Sequence, residues 1–386
     1  MARRFLAPKT IWLGADALLS AEADICRLGT RALIVTGQSM IRQGYIEMLT
    51  DLLDKNGVGW EIYSGISGEP TDRMIETGVS IYQEKSCDFI IGFGGGSPLD
   101  AAKAIGLLSA AEGCRLTDFM GKEITCPIPP VAAIPSTAGT GSEVTQFTII
   151  TDTQTDVKML LKGSALIPAV AVIDPVFTAQ AAEKVTVAAG LDALTHAVEA
   201  YTSQKAYDQS DRYAISAVKR VFRFLPLVLQ NPTNLEYREQ MSFAAYEAGV
   251  SFSNSSVTLV HGMSRPIGAL FHVPHGLSNA MLLPVCLEYA LEGAYDRFGE
   301  LGRVIGAADR RDSDKDAAIR FLEAVKNLCR DCHVPTLEEY GIDKETFMGQ
   351  VGKMAMDAMA SGSPSNTRRD IRENDVIRLY YKLWEA

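Results

Sequence analysis

Two hydrophobic rhythms alternate through the first 180 residues. Nearly continuous apolar runs occur in "RALIVTG" (31–37), "GWEIYSGI" (59–66), "DFIIGFGGGS" (88–97), "PPVAAIPST" (129–137) and "AVAVIDP" (169–175). Runs of this length, rich in β-branched residues and flanked by glycine or proline, predict buried strands. Between them, "MIRQGYIEMLTDLLDKNG" (40–57) and "MIETGVSIYQEKS" (74–86) place apolar residues at helical spacing. Strand–helix alternation implies a parallel sheet with helices on both faces.

Past about Asp174 the strand signals stop. The segments 188–203, 210–230, 234–253 and 316–331 all repeat apolar residues at i, i+3 and i+4, which predicts helices. The expected organisation is an α/β domain over 1–180 and an all-α domain over 181–386. No internal repeat or low-complexity tract is present.

Composition narrows the functional classes. The 386-residue chain is 47% hydrophobic and 22% charged, with a net charge of −10, typical of a globular protein. That balance argues against nucleic acid or anionic membrane as partners, since both need a clustered basic surface. The basic N-terminus lacks the apolar run of a secretory signal, and "ALIPAVAVIDPVF" is too short to span a bilayer. Seven scattered cysteines form no ligand framework beyond one Cys-x-x-Cys pair, Cys329 and Cys332, and fit the reduced thiols of a cytoplasmic protein.

Two turns carry candidate cofactor chemistry. In "IIGFGGGSPLDAAKAI" (90–105) a strand runs through consecutive glycines into a helix. Such a turn admits an anion close to the backbone, and the helix N-terminus adds partial positive charge. The spacing is neither the dinucleotide fingerprint nor a Walker sequence, so a turn that only packs is the alternative. "IPSTAGTGSEVTQFTIITD" (134–152) follows another strand and offers Ser136, Thr137, Thr140 and Ser142 as hydroxyl donors. Two such turns in one sheet point to a dinucleotide.

The five histidines are unevenly spread. Asp192 and His196 stand four apart in "GLDALTHAVEA", and so share a helix face. His261, His272 and His275 fall within "VHGMSRPIGALFHVPHG", whose glycines and prolines predict a shaped turn between helices. Alone, a histidine on a helix is usually a structural residue. Together, one carboxylate and three imidazoles suit a borderline divalent ion such as Fe²⁺ or Zn²⁺. His272 competes with His275 for the third place, and His333 reads as a surface residue.

Over its whole length the chain resembles the iron-dependent (group III) alcohol dehydrogenases, through "GGGSPLDAAKAI", "IPSTAGTGSEVT", "GLDALTHAVEA" and "VHGMSRPIGALFHVPHGLSNAMLLP". The resemblance implies a Rossmann-like N-terminal domain and a helical C-terminal domain in the dehydroquinate synthase-like architecture. It implies metal ligation by Asp192, His196, His261 and His275, with Fe²⁺ or Zn²⁺ as the ion. It also implies NAD or NADP held by Gly94, Gly95, Gly96, Ser97 and Asp100, and further along by Thr137, Thr140 and Lys158. The implied reaction is hydride transfer between nicotinamide and a small alcohol or aldehyde activated by the metal, in a homodimer or larger assembly.

Two departures from the family pattern bear on specificity. Many members carry histidine where this chain has Arg265, and arginine stays protonated. Arg265 either pairs with a nearby carboxylate or binds an anionic substrate tail (carboxylate, sulfonate or phosphonate), with His272 as the replacement proton carrier. Second, many relatives have aspartate at the end of the strand 31–36, where a carboxylate would accept from the ribose 2′-hydroxyl. Here Gly37 and Ser39 leave NADH and NADPH both open. A hydroxyacid–oxoacid transhydrogenase and a metal- and NAD-dependent lyase on the same scaffold are the alternative activities. A non-enzymatic binding protein would have no use for four converging ligand-type residues.

Overall fold

A computed structural model describes residues 2–385. The chain divides into two compact units, Met1–Ala181 with Thr233–Ser253, and Ala182–Pro232 with Asn254–Ala386. Helices of ten or more residues are numbered below as they occur along the chain.

The first unit is built on a six-stranded sheet. Its strands are β1 (Thr10–Leu13), β2 (Arg31–Thr36), β3 (Gly59–Tyr63), β4 (Phe89–Gly94), β5 (Val131–Pro135) and, after an intervening hairpin, β8 (Val170–Ile173). All neighbours are parallel in the order β1-β8-β5-β4-β2-β3. Every residue of β4, β5 and β8 is buried, as expected for parallel strands covered on both faces. The helices include α1 (Tyr45–Lys55), α2 (Asp72–Glu84) and α3 (Gly96–Ala110). The chain reverses its winding between β2 and β4, and in open α/β sheets ligands bind beyond the carboxyl ends of strands at such a switch.

Two features were not expected. Residues 147–162 form an antiparallel hairpin, β6 (Phe147–Asp152) and β7 (Val157–Lys162). Its alternating burial is the period-2 pattern, concealed in the sequence because Thr148 and Asp152 fill buried places. Helix α6 (Leu235–Asn254) also joins the first unit, although it lies beyond the 180/181 boundary. The Gln146 amide donates to the Ser253 carbonyl at 2.6 Å, and Phe147 stacks on Phe252 with centroids 6.0 Å apart. Periodicity reveals a helix and one buried stripe, but not which neighbour that stripe meets.

The second unit is helical, with no strand among its described residues beyond an isolated bridge of Ser203 and Thr367. It contains α4 (Glu183–Thr202), α5 (Asp208–Gln230), α7 (Leu259–Phe271), α8 (His275–Ala290) and four later long helices. Helix α7 runs straight through Pro266, where a turn was expected. Its residues Leu259–Ser264 and Pro266–Gly268 are buried, and that packing overrides the weak local propensity of Gly262, Pro266 and Gly268. The chain turns later, at His272, whose φ of 55° ends α7 in the left-handed conformation.

Candidate metal centre and nucleotide turn

Helix α4 is buried along most of its length, so its polar residues are costly unless partnered. Asp192, His196 and Glu199 lie at i, i+4 and i+7, on one face. Two further elements complete the cluster: His261 comes from the first turn of α7, and His275 opens α8 after Pro274. One ligand atom from each of Asp192, His196, His261 and His275 lies within 4.8 Å of all the others. His261 Nε2 and His275 Nε2 stand 3.7 and 3.8 Å from Asp192 Oδ1, and His196 Nδ1 stands 3.8 Å from Asp192 Oδ2. The His196 and His261 rings stack with centroids 4.3 Å apart.

These separations are too long for hydrogen bonds and match atoms facing a common point. Burial pushes the Asp192 carboxyl up, but the surrounding imidazoles outweigh it and hold the group far below the usual carboxylate range. The donor set, one carboxylate and three imidazoles, fits a divalent transition ion.

Two residues that sequence reasoning missed belong to this cluster. Glu199, 1% exposed, accepts from His261 Nδ1 at 2.6 Å. Asn279, fully buried, donates through Nδ2 to Asp192 Oδ1 at 2.7 Å and lies 3.1 and 3.3 Å from the Nε2 atoms of His261 and His275. Glu199 stood inside a motif already singled out, at helical spacing from Asp192 and His196. Asn279, four residues after His275, carried only the i, i+4 relation.

Arg265 is one turn along α7 from His261, on the same face. Its Nε is buried without a hydrogen-bond partner, and no carboxylate among the described residues forms an ion pair with it. Burial lowers its affinity for the proton, opposed by the field of Glu199. The expectation that Arg265 pairs with a carboxylate is thus not met. His272 is exposed at the end of α7.

In the first unit the two candidate turns meet. Ser136 N donates to Gly94 O at 2.7 Å. A Cβ at Gly96 would fall 2.7 Å from Thr140 Cγ2, and one at Gly95 would touch Thr137 at 3.5 Å. Gly96 is therefore required for the approach of the second turn, whatever the turn binds. Ser97 is partly exposed in the first turn of α3. Asp100 behaves differently from the expectation of a cofactor contact. Its Oδ1 accepts from Ser142 Oγ at 2.6 Å and its Oδ2 from Ile149 N at 2.9 Å. It braces the second turn against α3, and both oxygens are taken. Lys158 Nζ is 2.6 Å from Glu69 Oε1, so its charge is likewise engaged. Gly37 precedes the short helix Gln38–Arg42, on which Ser39 is exposed.

The sequence profile described as "iron-containing alcohol dehydrogenase" matches residues 8–175, and the profile of that family's C-terminal domain matches residues 186–384. The chain belongs to the iron-containing alcohol dehydrogenase family. It is 33% identical to lactaldehyde reductase of Escherichia coli (strain K12), over all of both chains. The crystal structure of a 1,3-propanediol oxidoreductase superposes with a TM-score of 0.94 at 31% identity, covering 99% of this chain and 100% of that one. Sulfoacetaldehyde reductase from Bifidobacterium kashiwanohense, solved in complex with NAD⁺, gives a TM-score of 0.85 at 26% identity, with 99% of each chain covered. This member of the iron-containing alcohol dehydrogenases is accordingly an oxidoreductase acting between an alcohol and an aldehyde. No helix among the described residues is long and apolar enough to cross a membrane.

Proposed function

We propose that the enzyme reduces a short aldehyde bearing an anionic tail, reversibly, with a nicotinamide coenzyme and a divalent ion held by Asp192, His196, His261 and His275. When bound, the ion supplies Lewis-acid polarisation of the substrate oxygen, and the hydride chemistry belongs to the coenzyme. Gly94–Ser97 would cradle the pyrophosphate at the start of α3, with Thr137 and Thr140 donating beside it.

The observation that carries the anionic tail is Arg265, half-buried, with no carboxylate among the described residues paired to it and its Nε buried without a hydrogen bond. A partly desolvated cation without a counter-ion is costly, and Glu199, whose field reaches it, spends its oxygens on other donors. Charge balance points the same way. Asp192 and Glu199 supply two buried negative charges, whereas a divalent ion with Arg265 supplies three positive ones. One positive charge is left over, which a carboxylate, sulfonate or phosphonate on the substrate would neutralise through the planar fork. The relative named sulfoacetaldehyde reductase supports such a substrate class.

The test is a panel of neutral and anionic aldehydes with NADH and NADPH, comparing wild type with Arg265→Gln. Losing a hydrogen-bonded charge pair is expected to lower kcat/KM on anionic aldehydes by about 10- to 100-fold, leaving neutral ones nearly unchanged. Equal losses on both kinds would refute the assignment. His272 would act as proton carrier, and an unaltered pH–rate profile in His272→Ala would remove it from that role. The same reading takes the enzyme to be cytoplasmic and a homodimer or larger, which light scattering after size exclusion checks.

A further inference from the structure

Glu199 has three donors on two oxygens. Its Oε2 accepts from His261 Nδ1 at 2.6 Å; its Oε1 accepts from Thr258 Oγ1 at 2.8 Å and from Val260 N at 2.6 Å. Thr258 is the N-cap of α7, and its side chain makes no capping bond of its own. Val260 N is one of the amides that a helix start leaves without an intrahelical partner. A carboxylate from α4 therefore caps α7, where the helix field favours negative charge, and with its other oxygen fixes the ring of the first histidine on that helix.

The consequence for His261 is chemical as well as steric. With Nδ1–H donating to Glu199, Nε2 carries the lone pair, and Nε2 is the atom facing Asp192 Oδ1 at 3.7 Å. The Asn279 amide, 3.1 Å from the same Nε2, is compatible with an acceptor there and not with an N–H. In the opposite tautomer Nε2–H would face that amide, and Glu199 would meet a lone pair. Both neighbours thus select one tautomer, and Glu199 does so with a full charge.

We propose that Glu199 is a positioning residue of the metal centre, which sets the tautomer and orientation of His261 and joins α7 to α4 at the correct register. This rests on the four-residue ligand set above. A glutamine cannot replace the carboxylate, because it offers one acceptor oxygen to three donors and turns its own N–H₂ toward one of them.

The experiment compares wild type, Glu199→Gln and Thr258→Val. Thr258→Val removes only the hydroxyl donor and keeps the contact with His261. Zn²⁺ affinity is measured by competition with a chromophoric chelator, and the ring tautomers of metal-free, ¹⁵N-histidine-labelled protein by long-range ¹H–¹⁵N correlation at alkaline pH, where the rings are neutral. Only five histidines are present, so the ring signals are few. The expected result is a Zn²⁺ affinity about 10- to 100-fold weaker in Glu199→Gln, with loss of the single Nδ1–H form of His261. Thr258→Val is expected to stay within about threefold of wild type, because its hydroxyl does not touch the ligand ring and the bond from His261 to Glu199 remains. An unchanged tautomer in Glu199→Gln overturns the proposal, and so do equal losses in both variants, which would make Glu199 a helix cap only. The tautomer is read without metal, so failure of wild type itself to bind Zn²⁺ would count against the ligand set and not against this role.

Discussion

Glu199 and Arg265 carry opposite charges on neighbouring helices and do not pair, because His261, Thr258 and Val260 hold the carboxylate. This division of labour, a carboxylate for the cage and a guanidinium for the ligand, underlies the specificity argument. A buried pair in the first unit gives a separate prediction. Burial pushes Glu143 up to about 7 and Lys103 down to about 8, while Lys103 donates to the Phe147 carbonyl at 2.8 Å and to Thr145. A carboxyl raised in the folded state stabilises fully below its unfolded pKa and loses that contribution as pH climbs through the folded one. Lys103 is charged in both states across most of that window, and comparison with Glu143→Gln separates Glu143 from other carboxyls raised by burial, such as Asp100. The melting temperature is expected to fall between about pH 5 and 7, and Glu143→Gln to flatten the fall. Parallel curves for the two proteins would show that Glu143 ionises normally.

Three helices set the cage, and their registers matter more than any loop. Helix α8 lies so close to α4 that a Cβ on Gly276 would sit 2.4 Å from the Ala188 carbonyl oxygen and 3.2 Å from Asp192 Cβ. Gly276→Ala is therefore expected to push His275 away from Asp192, costing about 1–3 kcal/mol of stability and weakening metal binding with it. Denaturant titration and Zn²⁺ competition on the same samples check this, and a variant with wild-type stability and affinity would contradict the packing argument. At this scale the sequence was a good guide where one period dominated. Strands β2, β4, β5 and β8 and helix α4 were legible, as was the i, i+4 pair Asp192 and His196. It misled where packing overruled local preference: proline and glycine in 260–276 read as a turn, yet buried contacts carry α7 through Pro266. The engagement of Asp100 with Ser142 and Ile149, and of Lys158 with Glu69, had no signal, because partners 42, 49 and 89 residues distant leave no periodic trace.

At the scale of the molecule, the fold supplies two things separately: a parallel sheet whose switch point presents a glycine turn, and a helical unit whose core holds a cluster of ligand-type side chains. A net charge of −10 repels anionic ligands at long range, so recognition of an acidic aldehyde has to be local, at Arg265 and the ion. Raising ionic strength is expected to screen that repulsion and leave kcat/KM for anionic substrates equal or higher; a steep fall would indicate long-range attraction instead. The central claim is that four side chains from three helices hold one divalent ion on which turnover depends. The most direct measurement is the metal content and aldehyde-reductase rate of one preparation before chelation, after it, and after anaerobic return of Fe²⁺ or Zn²⁺. The account predicts a fall of at least about 100-fold on stripping, the scale of several kcal/mol of lost activation, with recovery at about one ion per chain. Full turnover by a protein shown to contain no ion would contradict it.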